Sequence, residues 1–290
     1  MTEPAPDRPD DDAASKPVAM DLPKRADLIF DVGMHRGEDS DFYLRKGFRV
    51  VGFEADPELA AHCRRRFARS IDAGRLEIVE GAIVDPGARE GKATVAFHRN
   101  TGNSVWGTVH ADWADCNARL GTSSELVEVA AIDFAEVLAR TGMPRYMKID
   151  IEGADMVCVD ALRRFATRPD YLSIESDKTS FARIEREIEI LVELGYDRFQ
   201  AIEQSAIPRV QRPPLPAREG VDLDHRFEKG ASGLFGRELA DEWQTPDEVL
   251  QRYRAIRVGY FLEGDDGLLR AWRFPGSAWL RRLVRWAIGR

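Results

Sequence analysis

The chain has 290 residues, of which 43% are hydrophobic and 32% charged, with a formal net charge of −8. That is an ordinary globular composition, long enough for one large α/β domain with appendages or for two small domains. The acidic balance argues against a broadly basic surface for nucleic acid, because phosphate contacts need a surplus of Lys and Arg.

Three cysteines, Cys63, Cys116 and Cys158, are widely spaced with no CxxC pair. They offer neither a disulfide framework nor a thiolate zinc site, so the reducing cytoplasm is the expected compartment. Residues 1–23 are acidic and rich in Pro and Ala. They lack the basic start and apolar run of a secretory signal. Too little apolar surface is present there to offset the entropy of ordering, so they are expected to form a disordered tail. No stretch approaches the roughly 18 consecutive apolar residues of a membrane-spanning helix.

Regular structure is expected from residue 24 onward. ADLIFDV (26–32) is a short apolar run leading into a glycine-containing turn, and RGEDSDFYLRKGF has helical spacing that ends near Gly47. RVVGFEAD is a second apolar run ending in acids, followed by a helix opened by Pro57, a residue suited to a first helical turn. RLEIVEGAI (75–83) reads as a third strand. Three strand–helix alternations in about 55 residues predict βαβ units and a parallel sheet. Such a sheet is buried on both faces, hence the continuous apolar runs.

The middle is less regular: KATVAFH reads as a strand, RNTGNSVWGTV as a loop, HADWADCNARLG as a helix, and ELVEVAAI as a half-buried strand. The α/β rhythm then returns with a helix ending at Gly142, the strand RYMKIDIEG, the helix ADMVCVDALRRFAT, the strand DYLSIES, the amphipathic helix FARIEREIEILVELG and the strand YDRFQAI. Residues 24–203 are therefore read as one doubly wound α/β domain. Residues 204–290 are read as an extension: a Pro- and Gly-rich loop, a helix capped by Thr245, and a tail with six arginines and three tryptophans. Placed on a helix, Trp279, Leu283 and Trp286 share a stripe separate from Arg281, Arg282 and Arg285. That pattern suits either an anionic membrane surface or packing on the chain's own domain with snorkelling arginines.

Three features carry chemistry. The first is the turn Asp31-Val-Gly33-Met-His35-Arg-Gly37. A glycine at a strand end permits a tight turn and close ligand approach, and the following helix presents free N–H groups. The dinucleotide pattern G-x-G-x-x-G fails here, since its later positions hold His35 and Glu38. The second is Glu54, 21 residues after Gly33 at the end of strand two. An acid there can accept both ribose hydroxyls of an adenosine, with Gly81 and Ala82 at the adenine edge. The third is Lys148-Ile-Asp150-Ile-Glu152-Gly153. Strand alternation places its three charges on one side, which is tolerable at the carboxyl edge where ligand crevices open. Glu175 and Asp177, after the next strand, would face the same crevice.

The segments DVGMHRGEDSDFYLRKGFRVVGFEADP, NSVWGTV, KIDIEGAD and YLSIE together resemble the FkbM family of methyltransferases. KIDIEG is the most specific of them, and the likeness extends to about residue 243 through ASGLFGRELADEW. The resemblance implies a seven-stranded methyltransferase sheet, S-adenosylmethionine as donor and O-methylation of a hydroxyl on a sugar, glycan or natural product. His35 stands where many members carry Asn.

The expected donor-binding residues are Asp31, Gly33, Gly37, Glu54, Gly81 and Ala82. Asp150 and Glu152 are the first candidates for the base, with Lys148 holding an acceptor oxygen or pairing with one of them. Glu175 and Asp177 follow, and His35 is third. Asn103, Ser104 and Trp106 are expected to contact the acceptor, Trp106 either stacking on a sugar ring or packing. The crevice acids have the oxygen chemistry of a Mg²⁺ site, but no pattern fixes an octahedron and no metal is expected. A small-molecule or glycan acceptor is the expected partner, and nucleic acid is not. Peripheral membrane contact through the tail and a homo-oligomer are left open. The rival readings are a non-catalytic scaffold of the same fold and a nicotinamide-dependent oxidoreductase, which the failed glycine fingerprint disfavours.

Overall fold

The computed structural model describes residues 19–89, 91–104, 107–110, 121–151, 153–176, 180–239 and 242–263. Eight strands occur among them: β1 Lys24–Val32, β2 Arg49–Glu54, β3 Leu76–Glu80, β4 Ala82–Ile83, β5 Thr94–Asn100, β6 Ser124–Ile132, β7 Met143–Ile149 and β8 Tyr171–Ile174. The principal helices are α1 Glu38–Arg45, α2 Pro57–Arg66, α3 Ala68–Asp72, α4 Phe134–Thr141, α5 Asp155–Ala161, α6 Phe181–Glu193 and α7 Pro246–Glu263. A five-stranded sheet runs β3-β2-β1-β7-β8 with every neighbour parallel. The α/β fold read from the apolar runs is the one formed.

Helix starts follow local chemistry. Asp56 caps α2, its carboxylate accepting from the N–H groups of Glu58 and Leu59 ahead of Pro57. Thr245 and Glu248 form a reciprocal capping box at α7. On α6 the buried residues Ile184, Ile188, Ile190 and Leu191 face the core, as the helical period requires.

A single seven-stranded sheet is not what forms among the described residues. The run 75–83 breaks at Gly81, whose φ of +142° is one that side chains rarely adopt. Residues before it pair with β2 as β3, and residues after it pair with β6 as β4. A Cβ at Gly81 would lie 2.5 Å from the Ala130 carbonyl oxygen, so only glycine lets the two backbones approach this closely. β5 and β6 satisfy each other as an antiparallel pair and, with β4, make a separate three-stranded sheet. The strand expected at YDRFQAI reduces to one bridge, Phe199 to Gln244.

The ordered region is also wider than expected. Met20 and Leu22, expected from the sequence to lie in a disordered tail, are held: the Met20 N–H donates to the Arg164 carbonyl and Leu22 is buried. Beyond residue 203 the chain continues into the same core. Ile207, Phe227, Leu234 and Phe235 pack with Phe42, Tyr43 and Tyr146, and Tyr146 and Phe235 stack at 4.5 Å. Lys46 and Glu238 form a fully buried ion pair at 2.6 Å. Arg145 grips Glu219 with a two-pronged guanidinium fork. Burial of this extent makes residues 207–239 a wall of the domain. The basic tail considered for membrane contact, residues 267–290, lies outside the described residues, as do residues 111–120 of the helix expected at 110–121. No helix among the described residues is long and apolar enough to cross a membrane.

Candidate active site

In the five-stranded sheet the strand order reverses between β1 and β7, and a crevice opens at that switch point beyond the carboxyl ends. Gly33 leaves β1 with φ +81°, and the N–H groups of Gly33 and Met34 both donate to the Phe53 carbonyl at the end of β2. A Cβ at Gly33 would lie 1.9 Å from the Asp150 carbonyl oxygen. The glycine therefore lets the turn press against the end of β7. His35 follows with φ +51°, an uncommon conformation for a residue bearing a side chain.

Glu54 locks this turn in place. Its Oε2 accepts from the His35 N–H at 2.8 Å and its Oε1 from the Asp56 N–H at 2.9 Å. Burial pushes its carboxyl up to about 7, against the two N–H bonds that favour its charge. Glu54, Gly33, His35, Gly81 and Ala82 all line a cavity of about 360 Å³, within the usual range for small-molecule sites.

A second group of charges lies on the β7 side of the same cavity. Lys148, 5% exposed, donates to the Gly33 carbonyl at 2.7 Å and sits 3.5 Å from Asp31 and 3.9 Å from Asp150. Burial alone would lower its pKa, but Asp31, Asp150 and Asp39 outweigh burial and raise it, so the ammonium stays charged. Asp31 is wholly buried and accepts from the Ser40 hydroxyl at 2.6 Å, and its carboxyl is raised by burial despite Lys148 and Ser40. Asp39 in α1 accepts from the Ser232 N–H at 2.9 Å, and burial lifts it to about 7. Asp155, at the start of α5, is lifted to about 6 by burial and then by Asp150.

A sequence profile described as the Methyltransferase FkbM domain matches residues 31–198, from the acid at the end of β1 to the residue before the Phe199 bridge. The chain belongs to the FkbM methyltransferase family. It is also similar, at 37% identity over 57 residues, to the "Probable ribosomal RNA small subunit methyltransferase A" of Haloarcula marismortui. That match spans 20% of each chain, so this chain covers about a fifth of the relative's length. Among solved structures it has a likeness to a precorrin-6y C5,15-methyltransferase from Geobacter metallireducens, with 15% identity and a TM-score of 0.33. The aligned part covers 64% of this chain and 69% of that one.

In this FkbM-family chain, nine of the residues singled out from sequence line this cavity: Gly33, His35, Glu54, Gly81, Ala82, Ser104, Lys148, Asp150 and Glu175. Three do not. Asp31 is buried beneath the lining and serves Lys148 and Ser40. Gly37 packs the start of α1 against the Phe67 ring, where a Cβ would lie 2.3 Å from a ring carbon. Asn103 turns its N–H to the Asn100 side chain at 2.8 Å. Lys148, expected to hold an acceptor oxygen or pair with Asp150 or Glu152, is engaged by Gly33, Asp31 and Asp150. Trp106, Glu152 and Asp177 lie outside the described residues.

His35 Nε2 bonds to the Ser104 hydroxyl at 2.8 Å, and Nδ1 lies 3.5 Å from Glu38. Sequence reasoning missed Asp39, Asp56, Gln204 and Lys229, which also line the cavity. The helix-start pattern at Asp56-Pro57 offered a signal for Asp56. Asp39 was hidden in the acidic first turn of α1, and the other two come from a distant part of the chain. No group of three or more His, Cys, Asp or Glu among the described residues is placed to hold a metal ion.

Proposed function

We propose that the chain is an S-adenosylmethionine-dependent O-methyltransferase acting on a hydroxyl of a sugar, glycan or natural product. One observation carries this reading: the Glu54 carboxylate, locked by two backbone N–H groups, faces the same cavity as Asp150 and Lys148. The residues present fit the donor. Each Glu54 oxygen accepts one N–H and keeps acceptor capacity for a ribose hydroxyl, while Gly81 and Ala82 offer backbone to an adenine edge. When bound, the donor supplies a methyl group already activated on a sulfonium.

The protein's part is to orient an oxygen in line with that methyl and to remove its proton. In-line approach at roughly 3–3.5 Å is the larger contribution. Asp150, with 29% of its side chain exposed, is the acid on the β7 side open to an acceptor. It takes the hydroxyl proton on a carboxylate oxygen, a step worth about 10²–10⁴ in rate. The Lys148 ammonium keeps positive charge beside Asp150 and ties the glycine turn to β7. His35 has both ring nitrogens engaged and tethers the glycine turn to the loop at Ser104.

Calorimetry with S-adenosylhomocysteine and, separately, NADH tests the cofactor. Binding of the first and not the second is expected, and the reverse would replace the methyltransferase reading by the oxidoreductase one. Transfer of labelled methyl into fractionated cell extract tests turnover. Tight donor binding without transfer to any fraction would favour a non-catalytic scaffold.

A further inference from the structure

Within the methyltransferase reading, on which this inference rests, we propose that Lys229 binds the carboxylate of the donor's amino-acid end. The residue lies beyond the 31–198 family match yet lines the cavity.

The cavity is acidic. Glu38, Asp39, Glu54, Asp56, Asp150 and Glu175 line it against two lysines, Lys148 and Lys229. Acids suit the sulfonium and the ammonium of the donor, but its carboxylate needs a positive or N–H partner. Lys148 is already engaged by the Gly33 carbonyl and by Asp31. Lys229 is exposed and has no hydrogen-bond or ion-pair partner among the described residues. Of the two lysines, it is the one left over.

Its backbone is firmly held. Phe227 and Ala231, on either side, are buried in the core. The Ser232 N–H donates to both oxygens of Asp39, and Gln204 Nε2 donates to the Gly230 carbonyl at 3.2 Å. The loop is therefore tied to the first turn of α1, which the glycine turn feeds. That joins the loop to Asp39, on the helix that follows the glycine turn, whereas Gly81 and Ala82 belong to the chain beyond β3. Gly230, with φ +94° and no atom within 4 Å of where a Cβ would stand, leaves the turn open beside Lys229.

Two probes separate the ends of the donor. S-adenosylhomocysteine carries the amino-acid end, and 5′-methylthioadenosine has the same adenosine and thioether without it. In calorimetry on the full chain, Lys229→Ala is expected to raise the Kd of S-adenosylhomocysteine roughly tenfold, the range of one charge-assisted bond. Methylthioadenosine should bind the variant and the unsubstituted protein alike, and Lys229→Arg should restore most of the lost affinity. Equal weakening of both probes, or an unchanged Kd for S-adenosylhomocysteine, would overturn the assignment. Failure of the unsubstituted protein to bind either probe would instead remove the methyltransferase reading beneath it.

Discussion

Replacing Glu54 by Gln removes the charge at the end of β2 while keeping the side chain's size. The Glu54 oxygens lie 2.8 and 2.9 Å from the N–H groups of His35 and Asp56, so the amide must turn one NH₂ toward an N–H donor. The site loses a charged acceptor for a ribose hydroxyl, worth about 1.5–3 kcal/mol. Affinity for S-adenosylhomocysteine should then fall about tenfold to a hundredfold at pH 8. The pH dependence is a sharper check. Burial holds the Glu54 carboxyl at about 7, so near pH 6 about nine-tenths of the donor-free protein carries it protonated. If the ionised form binds, the unsubstituted protein loses about tenfold in affinity from this group between about pH 8 and about pH 6. Asp39, also at about 7 in the same cavity, titrates in both proteins and cancels in the comparison. The affinity ratio between the two proteins should therefore shrink about tenfold on acidification. A ratio that stays constant with pH, or a variant that binds as tightly as its parent, would refute the argument.

Asp150→Asn should leave the Kd for S-adenosylhomocysteine within about twofold and cut labelled-methyl transfer by about 10²–10⁴, as expected of a lost base. Glu238→Leu strands the Lys46 ammonium, which is fully buried. Urea unfolding should show a loss of about 3–5 kcal/mol, largely recovered in the double variant Lys46→Met, Glu238→Leu. Asp155 is raised from 3.8 to about 6, so the folded state binds its proton more tightly than the unfolded one. The stability it contributes is full below the unfolded pKa and is lost as pH rises through about 6. Asp155→Asn should accordingly gain on the parent by up to about 3 kcal/mol between about pH 4 and about pH 8, read from paired urea melts. A gain in the opposite direction would mean that Asp155 is stabilised as the anion.

Much of the cavity lining was legible because it depends on short-range rules. Gly33, Glu54 and Asp150 each end or follow a strand of a parallel sheet, and parallel strands deliver their carboxyl ends to one edge. Asp31 shows where that reasoning stops. Its position at the strand end suggested service to the donor's amino end or to the loop backbone, and its buried side chain is engaged by Ser40 and Lys148. Periodicity says which face a side chain takes and not whether a neighbour fills the space above it. Gly37 is a similar case, its lack of a side chain serving Phe67.

The linear order of apolar runs, turn glycines and helix caps was sufficient for the α/β class, because each of those signals acts within a few residues. The split of the run 75–83 at Gly81 depended on the backbone of Ala130, about fifty residues away in sequence. Gln204 and Lys229 reached the cavity by the same kind of long-range contact, from the chain beyond residue 203 that packs against α1 and β7, and Asp39 is held by the Ser232 N–H of that segment. Local pattern carries no record of which distant segment will cover a given face. Burial of that face, with pairs such as Lys46–Glu238 and Arg145–Glu219 to satisfy it, made the choice.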